Sequence, residues 1–199
     1  MTTTEDDAVC NQHDAGRRGD WMQTKSGKRF YPIDPRAEDV ELVDIAHALS
    51  MICRFTGHTK THYSVAQHSV LVSQNVSQRA ALWGLLHDAA EAYIGDLSRP
   101  LKRCLKELFG TAVKDIEDKI SDVIVRRFLV IRDEKIDAEV KRADDLLLVT
   151  EARDFMAPLA SGWRHVPENG FAILPERISP WTPVMASYEF MKRFHQLTA

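Results

Sequence analysis

From Leu42 onward, apolar residues recur at steps of three and four, a period that fits helices and little else. Leu42, Ile45, Leu49 and Ile52 mark one apolar face, and Ala81, Leu82, Leu85, Leu86 and Ala89 mark another. Each stripe must be buried against other helices, so a packed bundle is the expected solution. Ser64 reads as an N-cap, with Gln67 three residues on completing a capping box, for a helix carrying Val65, His68, Leu71 and Val72. Ser77 reads as the cap of the next helix. That helix is expected to run through His87 and Asp88 and to stop near Ile94 and Gly95, where glycine permits a left-handed exit. Pro100 fits the first turn of the following helix. Further helices are expected over 101–109, 111–128, 136–155 and 182–197. Before this region, Trp21, Gly27, Phe30, Tyr31, Pro32 and Pro35 read as a short extended or hairpin excursion. Residues 1–19 have few large apolar side chains and read as a flexible tail. Residues 157–181, with four prolines and two glycines, read as an irregular connection. The expected architecture is all-α: one domain over 20–199, a bundle of about six or seven helices with a short N-terminal hairpin.

Length and charge narrow the function. A chain of 199 residues supports one sizeable core. The net charge of −3 argues against a nucleic-acid polymer as partner, which calls for a clustered basic surface, but leaves room for a local basic patch that binds a phosphorylated metabolite. Cys10, Cys53 and Cys104 are too few and too scattered for a disulfide framework or a CxxC zinc site. No apolar run approaches the roughly 20 residues of a membrane-spanning helix. The polar, acidic start is unlike a signal peptide, so a cytoplasmic address is expected and no membrane partner.

The chemistry concentrates in LLHDAAE, residues 85–91. Burying the His87 imidazole and the Asp88 carboxylate beside Leu85 and Leu86 is costly unless each finds a partner, and a divalent cation partners both. One such dipeptide is commonly just a polar helix end. Two other segments strengthen the metal reading: His68 in YSVAQHSVLV, and Asp144 in VKRADDLLLV, with Asp145 beside it. Helices that each present one or two ligands inward are a common way to build a metal site in a bundle. Two neutral imidazoles and two carboxylates suit one divalent transition metal, Co, Mn, Zn, Ni or Fe, with Mg an option only as an assisting ion.

The order His68, His87-Asp88, Asp144 resembles the HD-domain superfamily of metal-dependent phosphohydrolases. The run HDAAEAYIGDLSRPLK is similar to the signature of its 5′-deoxynucleotidase branch, through His87, Asp88, Glu91, Gly95, Asp96, Pro100 and Lys102. CRFTGHT and YSVAQHS are similar to small HD proteins of bacteria and bacteriophages, including phage dATP triphosphohydrolases. The likeness spans about residues 40 to 150 of this chain, by the motifs it contains. It implies cleavage of the 5′ phosphoester of deoxynucleotides, with release of the deoxynucleoside and phosphate or triphosphate and a leaning toward dATP, dADP and dAMP. A nucleotidase restricted to monophosphates and a non-catalytic nucleotide-binding HD module are the alternatives. It further implies a bacterial or phage-infected host cytoplasm and a homo-oligomer.

By the same resemblance, Glu91 orients or deprotonates the water, its bland reading being a surface carboxylate. Asp96 holds the deoxyribose or assists proton transfer, its bland reading being an N-cap for the helix near Pro100. Arg54 and Lys102 meet the phosphates, Arg54 as a fork and Lys102 as a point charge. Phe55 matches a base-stacking aromatic that is commonly tryptophan in the relatives. His58 is a candidate phosphate contact or a plain loop histidine, and Pro100 crowds the sugar 2′ position.

Overall fold

The computed structural model describes residues 16–158 and 173–199, and within these the protein is all-α apart from one small hairpin. Strands β1 (Met22–Gln23) and β2 (Arg29–Phe30) pair antiparallel with Met22 opposite Phe30. The helices are α1 (Leu42–Met51), α2 (Val65–Gln74), α3 (Ala81–Leu86), α4 (Glu91–Ile94), α5 (Arg99–Phe109), α6 (Ala112–Arg127), α7 (Glu134–Phe155) and α8 (Pro183–Thr198).

Three of the eight described helices start on a local side-chain cap. Ser64 accepts from the Gln67 amide at 3.1 Å, Asp133 accepts from the amides of Lys135 and Ile136, and Thr182 accepts from that of Met185. Gly95 follows α4 at φ +78°, a left-handed exit that other residues adopt only with strain. Three expectations are corrected. The helix expected from Ser77 to Ile94 is two helices, with a turn over 87–90 between them. Ser77 is no helix cap: its amide and hydroxyl both bond Glu139 of α7. The capping box at Ser64 is half-formed, because the Gln67 amide group donates to the Ser179 carbonyl and its oxygen accepts from the Trp181 amide, both at 2.8 Å. For Ser77 and Gln67 a partner distant in sequence outcompetes the local one.

Helix α8 packs across α1, α2 and α3, and α2 also lies against α7. Between them sits a core that includes Ile45, Leu49, Leu85, Leu86, Leu147 and Phe190, all buried. The hairpin docks through Phe30, stacked on Tyr93 of α4 at 3.7 Å between centroids, and through Ser26, whose amide and hydroxyl both bond Asp44 at 2.7 Å. Arg17 lies over the Tyr31 ring and pairs with Asp34 and Asp39, so residues 16–19 belong to the folded body. The rest of the expected tail, 1–15, and residues 159–172 of the expected connection lie outside the described residues. Among the described residues, no helix is long and apolar enough to cross a membrane. Helix α5 differs from the others of its length in burying none of its residues.

Candidate metal centre

Three helical segments bring the ligand candidates together. His68, on the first turn of α2, is fully buried. His87 ends α3, and Asp88 follows in the turn before α4. Asp144 sits mid-way along α7. Each of His68, His87 and Asp144 offers one ligand atom, all within 4.8 Å of one another, so the trio can hold a metal ion. Asp88 stands among them: its Oδ2 is 3.2 Å from His87 Nε2 and 3.6 Å from His68 Nε2, while Asp144 Oδ1 is 3.4 Å from His68 Nε2. Two donors each about 2.1 Å from a shared ion, at octahedral or tetrahedral angles, stand about 3.0–3.4 Å apart, close to these separations.

The neighbours aim the imidazoles. His68 Nδ1 donates to Glu151 Oε1 at 2.6 Å, and His87 Nδ1 donates to the Gly84 carbonyl at 2.9 Å. Each ring therefore turns its Nε2 toward Asp88 and Asp144, and both Nε2 atoms are buried with no hydrogen-bond partner among the described residues. Unpartnered buried nitrogens beside carboxylates are what a cation would complete.

Glu151 is the residue that sequence reading missed. It lies seven residues after Asp144, on the same face of α7, and is fully buried. Besides His68 it accepts from Tyr63 Oη at 2.8 Å and from Arg54 Nε and a terminal nitrogen at 3.3 and 3.1 Å. A glutamate inside the apolar run that follows Asp144 was the available signal. Arg54 is held by Glu151, whereas its approaches to Asp88 (3.6 Å) and Asp144 (4.0 Å) are longer than hydrogen bonds; Asp144 Oδ2 accepts from Lys141 at 3.2 Å and Arg99 at 3.4 Å, which leaves its Oδ1 facing His68.

Charge crowding shifts the titrations. Burial and the Arg54 charge oppose protonation of His68, but Glu151 and Asp144 outweigh them and raise its pKa to about 9. Burial would also raise the Asp88 and Asp144 carboxyls, but the two imidazoles and Arg54 hold both well below the usual carboxylate range. Glu91 goes the other way: burial, then the Asp88 and Asp96 charges, push it well up, and its Oε2 is buried without a hydrogen-bond partner among the described residues. Burial raises Asp96 too.

A pocket of about 440 Å³, a size that suits a small ligand, opens beside the cluster. Arg54, Phe55, Asp88, Glu91, Asp96, Pro100, Lys102 and Asp144 all line it. Phe55 and Thr56 reach it from a turn in which both adopt left-handed backbone, φ +56° and +54°, a strain of about 1–3 kcal/mol each that structures tend to keep at functional sites. His58 is exposed and does not line the pocket, which leaves its plain loop reading. The N-cap position of α5 is Ser98, so the capping alternative for Asp96 falls away.

Comparison with known proteins gives the chain relatives. It is 40% identical over 178 residues to the uncharacterized protein YfdR of Escherichia coli K12, an alignment covering 89% of this chain and 96% of YfdR. The chain belongs to the YfdR family. An uncharacterized protein of Rhodobacter capsulatus is 34% identical over 117 residues, which cover 54% of this chain and 58% of that protein. No family model matches the chain. In this member of the YfdR family the metal-site candidates lie at the heart of the bundle, between α2, α3 and α7.

Proposed function

We propose that the chain is an HD-type, divalent-metal-dependent phosphohydrolase that cleaves the 5′ phosphoester of deoxynucleotides. One observation carries this reading: two buried, unpartnered imidazole nitrogens face the Asp88 and Asp144 carboxylates beside a pocket that also presents Arg54 and Lys102. A mixed imidazole and carboxylate set suits a transition metal better than Ca or Mg. When bound, such an ion supplies Lewis acidity, offsetting charge on a phosphoryl oxygen and easing deprotonation of water.

The chain's own groups divide the remaining work. His68, His87 and Asp144 would hold the ion, and Asp88 would add a fourth ligand. Glu91 accepts the proton of the attacking water as the water oxygen bonds to phosphorus. Its raised proton affinity makes its carboxylate a strong base, one that needs nearby positive charge to exist. Asp96 holds the sugar and, starting protonated as its raised proton affinity favours, gives that proton to the 5′ oxygen as the phosphorus–oxygen bond breaks. The proton taken by Glu91 leaves to solvent, and Asp96 is reprotonated from it. Arg54, whose Nε and one terminal nitrogen are committed to Glu151, offers its other terminal nitrogen to phosphate oxygens, and Lys102 acts as a point charge. Phe55, Leu97 and Leu148 give the pocket an apolar wall for the nucleoside.

A screen of deoxynucleoside mono- and triphosphates against Mn²⁺, Co²⁺, Zn²⁺ and Mg²⁺ tests this. Metal-dependent release of deoxynucleoside is expected, and it should vanish in Asp88→Ala. Turnover that survives that change, or none with any of the ions, overturns the reading.

A further inference from the structure

Arg54 and Tyr63 face each other across a short antiparallel pairing of the chain, in which the Arg54 amide donates to the Tyr63 carbonyl at 2.8 Å. Both side chains end on Glu151, which divides its oxygens between them. Oε1 accepts from Tyr63 Oη and His68 Nδ1, and Oε2 accepts from Arg54 Nε and a terminal nitrogen. The same guanidinium approaches the metal-site candidates, 3.6 Å from Asp88 Oδ2 and 4.0 Å from Asp144 Oδ1. These are the two oxygens that also face His68 Nε2. Arg54 and a divalent cation would therefore contend for one pair of oxygens, and in a weakly screened interior the two cations repel each other strongly. Burial disfavours the Arg54 charge, but Glu151, then Asp88, Asp144 and Asp96, outweigh it and keep the guanidinium charged.

We propose that Glu151 is a positioning residue that holds the Arg54 cation back from Asp88 and Asp144, so that their two oxygens stay open to a divalent ion. The inference rests on the metal-centre part of the function proposed above and not on its substrate. Among the described residues, the three carboxylates within 4.0 Å of Arg54 match the charge of one guanidinium and one divalent cation, with both imidazoles neutral. Remove the Glu151 charge, and the guanidinium is drawn onto Asp88 and Asp144, its remaining partners, where it competes with the ion. This role is separate from aiming His68. A neutral acceptor can still receive His68 Nδ1, whereas only a negative charge offsets a buried guanidinium.

The test is a double-mutant cycle on the affinity of the full chain for Zn²⁺ and Co²⁺, read by competition with a chelating dye. Glu151→Gln should weaken binding by about 10–100-fold. Arg54→Met should bind at least as tightly as the unaltered chain. The double variant Glu151→Gln/Arg54→Met should return to within about threefold of the unaltered chain, because the charges removed cancel. Unchanged binding in Glu151→Gln, weaker binding in Arg54→Met, or a double variant as weak as Glu151→Gln overturns the proposal. If one single variant does not fold, the other, set against the double, decides. The expected cycle in a chain that releases no deoxynucleoside keeps the positioning role and removes the proposed function. Metal-dependent release without rescue in the double variant does the reverse, and a chain that binds neither ion loses both.

Discussion

The candidate metal cluster and the cationic groove beside it, to which α5, α6 and α7 bring Lys106, Lys114 and Lys141, meet at Asp144 and Arg99, yet they are built on opposite principles. Around His68 the supporting groups, Glu151 and Arg54, are buried and share partners: Glu151 alone receives His68, Tyr63 and Arg54. Along the groove the charges are exposed or half-exposed, as on α7 Lys141 is, which pairs with Asp144 at 3.2 Å and with Asp145 while more than half its side chain stays in water. Interior groups are weakly screened and their geometry is fixed, which suits ligation and proton transfer. Surface cations act at longer range and adapt to what arrives, which suits capture of an anion, at the cost of sensitivity to salt.

Four experiments can break or sharpen this contrast. The largest effect is expected for Asp144→Ala, which touches both regions. Its metal affinity, read by competition with a chelating dye, should fall by more than the about 10–100-fold that loss of a supporting partner costs. A near-normal affinity would show that the cluster is no metal site.

Next comes Glu151. Its replacement by alanine strands the Arg54 charge in the interior and should cost about 3–5 kcal/mol in urea unfolding. Glu151→Gln keeps the volume and an acceptor, so it should fold while lowering metal affinity by about 10–100-fold. If Glu151→Ala unfolds like the unaltered chain, the buried network has no structural weight.

The third concerns pH. Because the folded pKa of His68 is raised to about 9 from an ordinary 6.5, its contribution to the stability of the metal-free chain is complete below about pH 6.5 and lost as pH rises through about 9. Metal affinity should climb across the same window, since a ligating imidazole must give up its Nε2 proton. Unfolding midpoints at pH 6, 8 and 10, with and without Zn²⁺, check both signs, and a metal affinity flat across that range would contradict them.

The smallest effect belongs to the exposed side. Lys141→Ala removes contacts to Asp144 and Asp145 but should change stability by no more than about 1 kcal/mol, and less in high salt. A larger loss would mean that the groove is as rigid as the interior.

Sequence periodicity and cap chemistry placed most helices to within two residues. The expected 101–109, 111–128, 136–155 and 182–197 correspond to Arg99–Phe109, Ala112–Arg127, Glu134–Phe155 and Pro183–Thr198. These are local signals, carried by neighbours along one helix. The metal-site candidates were legible for a related reason: an imidazole or carboxylate in an apolar run is conspicuous before any fold is known. The N-terminal anchor was harder, because Trp21 and Phe30 look equally apolar in sequence, and only packing seats Phe30 on Tyr93 while Trp21 stays near the surface under Arg29.

What the amino-acid order determined by itself was the helical class, most helix limits and the types of side chain available for ligation. The tertiary structure decided which of them meet. It broke the expected helix at His87–Ala90, gave Gln67 to Ser179 and Trp181 rather than to its own first turn, and set Glu151 behind His68, 83 residues away. It also gathered the cations of α5, α6 and α7 into one groove. Helix propensity is summed over a few adjacent residues, whereas a buried charge is satisfied by whichever group the packing of distant helices delivers to it.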